Sequence, residues 1–146
     1  FYEHYESIYD LRESLGDRMD ASLWNLIPDD PGLPIERRLS LETSEGILTF
    51  IRDNHDFYRG LLHDDRGAQR FLDASIRIRD AYVWPELEKI GVEKDECDLR
   101  FYFCLKGSIG LITYWLDKQF DYPLRRDAEI LRREIVMCLC GNLRAE

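Results

Sequence analysis

His55 and His63 stand eight residues apart, flanked by Asp53, Asp56, Asp64 and Asp65. Imidazoles and carboxylates at this density are raw material for a metal site. The spacing, however, matches neither a His-Glu-x-x-His helix nor paired Glu-x-x-His sequences, which bring ligands to one helical face. Cys138 and Cys140 are two apart, so on a helix they point to different faces and make poor joint ligands. Gly107-Ser108-Ile109-Gly110 lacks the Gly-x-Ser-x-Gly order of a nucleophile elbow and lies in helical text rather than a strand-turn-helix. No glycine-rich loop offers backbone amides to a phosphate. Arg77 and Arg79 could meet an anionic ligand group, but arginines of this kind are more often solvated or in surface ion pairs. The sequence therefore reads as a non-enzyme, with no catalytic residues, no metal ligands and no cofactor.

A different chemistry is suggested by the large aromatics Trp24, Phe50, Phe57, Phe71, Tyr82, Phe103 and Trp115. Each by itself is ordinary core material. As a set they are candidates for lining a ligand pocket, since such pockets are mostly apolar with a few polar groups fixing orientation.

The 146 residues suffice for one domain with a sizeable core. No apolar stretch approaches the roughly 20 residues of a membrane helix, and no basic-then-apolar leader is expected. Cys97, Cys104, Cys138 and Cys140 form no repeating framework and read as small buried hydrophobes of a reducing, cytoplasmic setting. The net charge is −9, and residues 1–34 carry eight acidic and two basic side chains. Such a surface repels a phosphate backbone, whose affinity for proteins comes largely from Lys and Arg.

The elements that must position these residues are helices. No period-two alternation or hairpin turn is convincing, and six segments show helical spacing instead. The first follows Ser7 as a cap and places Leu11, Leu15, Met19, Leu23 and Leu26 along one face. "PDDPGLP" at 28–34 ends it, and residues 35–41 are expected to be loose. The second begins near Thr43 or Ser44 and presents Ile47, Leu48, Phe50 and Ile51. Asn54 is read as a break and a fresh cap for a short helix carrying Phe57, Tyr58, Leu61 and Leu62. A long helix over 67–90 turns Phe71, Leu72, Ile76, Ile78, Tyr82 and Val83 inward, and Pro85 should kink or end it near Val83.

The fifth segment, 96–119, has two apolar stripes. One is Phe101, Leu105, Ile109, Ile112 and Leu116; the other is Phe103, Cys104, Gly107, Gly110, Leu111 and Tyr114. A helix with two apolar faces has two things to pack against. Gly107 and Gly110 each cost about 1 kcal/mol relative to Ala in a helix interior, so a close approach should compensate, either from a partner subunit or within one subunit. The sixth begins near Pro123 and ends in Ile135-Val136-Met137-Cys138-Leu139-Cys140, which leaves no solvent face on a helix. The last two segments read as half of a four-helix homodimer interface with Gly107, Gly110, Leu111, Tyr114, Met137 and Cys138 as its candidates.

The opening "FYEHYESIYDL" is similar to the end of the helix-turn-helix of TetR-family transcriptional regulators. There an aromatic-Tyr-x-His-aromatic pattern closes the recognition helix and a Ser-led segment begins the next; here these are Phe1, Tyr2, His4, Tyr5, then Ser7, Ile8, Asp10 and Leu11. "ILTFIRDNHDFYRGLL" (47–62) and "KGSIGLITYWLDKQFDYP" (106–123) also resemble stretches of the family's regulatory domains. The resemblance implies an all-α, TetR-like bundle: residues 1–6 would be a remnant of the recognition helix, and residues 7–146 a ligand-binding and dimerisation domain. It implies an unknown small apolar or amphipathic effector, a homodimer, and operator DNA bound through an N-terminal head that lies mostly outside this sequence. Tyr2 and His4 match positions that often touch the DNA backbone, contacts that position without reading sequence. Ile8 departs from the family, which often has a basic residue there. Two alternatives stay open: a TetR-like co-regulator acting through a protein partner without DNA, and an unrelated helical dimeric scaffold.

Overall fold

The computed structural model of the chain describes residues 8–141. Ser7 as a cap, Tyr2, His4 and the segment 1–6 lie outside the described residues. Eight helical elements follow one another: α1 (Ile8–Trp24), α2 (Ile35–Arg38), α3 (Leu41–Asp53), α4 (His55–His63), α5 (Asp65–Ile78), α6 (Trp84–Lys89), α7 (Lys94–Asp117) and α8 (Leu124–Val136). There is no strand among the described residues. A π turn at Arg79–Val83 joins α5 and α6 into one rod, and a second π turn at Met137–Gly141 extends α8. Counting that rod once and setting aside the single turn of α2 leaves the six helices expected from the spacing.

Local chemistry explains most boundaries. Ser40 caps α3 by accepting from the Thr43 amide at 3.1 Å, which starts the helix at Leu41, earlier than Thr43 or Ser44. Asn54 ends α3, its side-chain amide donating to the Phe50 carbonyl at 2.8 Å, but makes no cap bond to α4. Asp64 caps α5 by accepting from Gly67 N–H at 3.2 Å. Gly67 must be glycine, because a Cβ there would meet the Leu61 carbonyl oxygen at 2.3 Å. Pro85 offers no N–H and its ring crowds the carbonyl four residues earlier. The rod answers by widening into the π turn just before it, then ends at Gly91 with φ +88.

Two expectations for the first forty residues are corrected. On α1 the inward stripe runs through Gly16, Asp20 and Leu23, leaving Leu15 43% and Leu26 39% exposed. Arg70 packs its guanidinium on Gly16 and pairs with Asp17, which turns this face to α5. Residues 35–38 are a helical turn rather than a loose segment, with Ile35 and Arg38 buried. Glu86 accepts from the Ile35 amide with both carboxylate oxygens at 3.1 Å, and Arg132 donates to the Glu36 and Leu39 carbonyls at 2.8 Å. These long-range partners take up both ends of α2, so a four-residue helix that would be marginal alone persists.

The core is two clusters. The larger joins Leu23, Leu48, Ile51, Tyr58, Trp115 and Leu116, with α3 packed along α8 and α4 against α5 and α7. The smaller gathers Ile35, Val83, Leu87, Cys97 and Leu139 around α6 and the start of α7.

Candidate functional site

Between the two clusters lies a cavity of about 140 Å³. Its walls come from the end of α1 (Leu23, Trp24) and Ile27 just after it, the α2 turn, α3, α5 with its π turn, the length of α7 from Phe101 to Ile112, and α8. The π turn at Arg79–Val83 contributes Tyr82 and Val83 to the wall.

Of the seven aromatics expected to line a pocket, Trp24, Phe71 and Tyr82 do so, the first two with ring centroids 5.3 Å apart. The other four are elsewhere. Phe50 and Phe57 stack edge-on against Tyr58 at 6.3 and 5.2 Å. Trp115 is buried at the far end of α7, its N–H donating to the Tyr122 carbonyl at 3.2 Å and its ring packed on Phe120. That contact helps hold Gln119 and Phe120 at positive φ, 54 and 67, an unusual backbone for residues with a Cβ. Phe103 is 75% exposed and faces away from the cavity side. The spacing could count aromatics but could not tell which wall of the bundle each would join.

Most of the polar groups around the cavity are hydrogen-bonded away from it. Ser44, Ser75 and Ser108 each donate to the carbonyl four residues earlier, at 2.9, 2.8 and 2.8 Å. Tyr82 OH donates to Asp29 at 2.7 Å, which raises its pKa above the usual tyrosine value. Arg38, a wall residue only 6% exposed, donates to the carbonyls of Pro28, Asp30 and Leu33 and lies 3.9 Å over the Tyr82 ring. Arg38 and Tyr82 thereby fasten the 28–34 loop across the cavity edge. The arginine pair in "IERR" gave no sign that Arg38 has this role; only the fold brings three loop carbonyls around it. Arg77 and Arg79 do not reach the cavity, and Arg79 pairs with Asp80 and Asp98 at 3.0 and 3.2 Å.

Beside Trp24, one helical turn back, Asp20 is 7% exposed. Burial pushes its carboxyl above the usual range, with Arg70 pulling the other way. Tyr58 is raised by burial and by the charge of Asp20. Asp20 Oδ1, Trp24 Nε1 and Tyr58 OH are buried with no hydrogen-bond partner among the described residues.

The opposite side of α7 is different. Leu99, Phe103, Gly107, Gly110 and Tyr114 form one outward stripe, with Leu99 71%, Phe103 75% and Tyr114 50% exposed. Met137, on the π turn after α8, is 55% exposed. Among the described residues a Cβ added at Gly107 or Gly110 would meet nothing within 4 Å, so no close contact there accounts for either glycine. Leu111 and Cys138 are half-buried. Cys104 is corrected from the outward stripe to the cavity wall, where burial pushes its thiol to about 12. Cys138 donates to the Arg100 carbonyl at 3.6 Å. All four cysteines are free thiols.

The His-Asp stretch disperses. His55 Nδ1 lies 3.0 Å from the Arg52 carbonyl, and His63 Nε2 lies 2.8 Å from Asp117. No group of three metal-ligating side chains comes together among the described residues. No described helix is long and apolar enough to cross a membrane. Comparison with protein families, with curated proteins and with solved structures finds no match.

Proposed function

We propose that this chain is the effector-binding and dimerisation part of a TetR-like transcriptional regulator, coupling a small molecule in the α1–α8 cavity to DNA-binding heads on two copies. The observation that carries the reading is the division of α7: one face walls an apolar cavity, and the other presents a glycine-bearing apolar stripe that no described residue covers. A second copy is the occupant of that stripe. Contiguous exposed apolar surface is uncommon on monomers, and glycines let two helix backbones approach closely.

The mechanism follows from the walls. α1 is the element that would lead to the head, and Leu23 and Trp24 at its C-terminal end line the cavity, with Ile27 just beyond. A molecule that binds one arrangement of α1 better than another shifts the balance between them by its differential affinity. In the dimer, a change in α1 becomes a change in head spacing, which must match operator half-sites. The chain carries no catalytic step in this reading.

The test is binding of the protein with its upstream residues to its own promoter DNA, by fluorescence anisotropy over a salt series. Tight, salt-sensitive binding with preference over random DNA supports the regulator. A folded dimer without specific binding would overturn it in favour of a co-regulator.

A further inference from the structure

From the chemistry of its wall, we infer that the cavity selects an uncharged, hydrocarbon-like molecule about the size of a small alkylbenzene and rejects analogues bearing a hydroxyl or a charge. The inference rests on the reading of this cavity as the effector site and narrows its ligand class from apolar or amphipathic to apolar.

Three observations carry it. Among the described residues no polar atom faces the cavity, although three serines, a tyrosine and an arginine stand in its walls. Each serine hydroxyl is tied to its own helix at 2.8–2.9 Å, a bond it would have to give up on turning inward. Arg38, the one wall cation, is held by loop carbonyls and the Tyr82 ring rather than left available for an anion. The buried Trp24 and Arg38 N–H groups that lack partners contribute no surface to the cavity either. A carboxylate or hydroxyl carried in would therefore lose its water and gain no bond.

Size follows from volume. An apolar cavity of roughly 150 Å³ stays dry and accepts benzene, and this one measures about 140 Å³. An apolar molecule entering such a space exchanges poor hydration for close contact with Ile, Leu and Phe side chains.

The test is titration of the 146-residue chain with toluene, phenol and sodium benzoate, read by chemical-shift changes of the Ile and Leu methyl groups. Toluene and phenol differ by a methyl against a hydroxyl, so their ratio reports the wall's polarity directly. Toluene should bind at least about tenfold more tightly than phenol, with no benzoate binding. Ile109→Phe, which fills the cavity from α7, should abolish toluene binding. If that variant does not fold, Phe101→Leu should shift preference from toluene towards naphthalene. Phenol or benzoate binding as tightly as toluene would overturn the ligand class while leaving the effector reading intact. Failure of all three to bind would overturn the inference; the effector reading is then decided separately by release of promoter DNA.

Discussion

The two faces of α7 are both apolar and have opposite surroundings. Inward, Phe101, Leu105, Ile109 and Ile112 meet α3, α5 and α8 across the cavity; outward, Leu99, Phe103 and Tyr114 stand at half exposure or more. The difference teaches that apolar spacing identifies a face that needs a partner without saying which chain supplies it. Exposure is what separates the cases. Interior glycine is tolerated where something approaches, and no described residue comes within 4 Å of a Cβ placed at Gly107 or Gly110.

The contrast can be tested one side chain at a time. The largest effect belongs to the buried end of the inner side: Trp115→Ala should cost about 3–5 kcal/mol in a denaturant titration. A loss near zero would mean that α7 is not anchored there. Next is the loop fastened across the cavity. Arg38→Met removes three charge-assisted bonds and should cost about 2–3 kcal/mol, with faster amide exchange confined to residues 28–34. Uniform exchange throughout the chain would show that Arg38 supports the whole fold rather than the loop.

The outer face should behave in the opposite sense. Gly110→Ala places a methyl in open space, so at concentrations where the chain is monomeric it should stabilise by about 1 kcal/mol. Destabilisation of the monomer would mean that a neighbour within the subunit crowds that position. The smallest effect is expected at Phe103→Ala, within about 0.5 kcal/mol for the monomer despite the loss of a large aromatic. A cost comparable to that at Trp115 would erase the distinction between the two faces.

Much of this was legible in the residues, for reasons that also mark the limits. Helical periodicity located six helices and both faces of α7, because a stripe repeating every three or four residues survives any tertiary context. Pro85 announced the distortion before it, since its missing N–H acts locally. What escaped was settled by distant partners. The α1 stripe is turned by Arg70 lying on Gly16, the α2 turn is held by Glu86 and Arg132, and Asp20 and Arg38 are buried although their residue types favour the surface. Cys104 fell into the wrong stripe because it lies on the border between the two faces. Four of the seven aromatics proposed for the pocket pack or stand elsewhere, since an aromatic's type predicts burial better than it predicts a neighbour.

The central claim is that the outer face of α7 joins two copies while the inner face is complete within one. Sedimentation velocity of the wild-type chain and of Gly107→Leu, with circular dichroism on the same samples, tests it most directly. The account predicts that the wild type sediments at twice the chain mass. The variant should sediment at the single-chain mass of 17.4 kDa with its helicity retained, because the added side chain enters open space in the monomer and a partner helix in the dimer. A monomeric wild type, or a Gly107→Leu dimer as stable as the wild type, would contradict it.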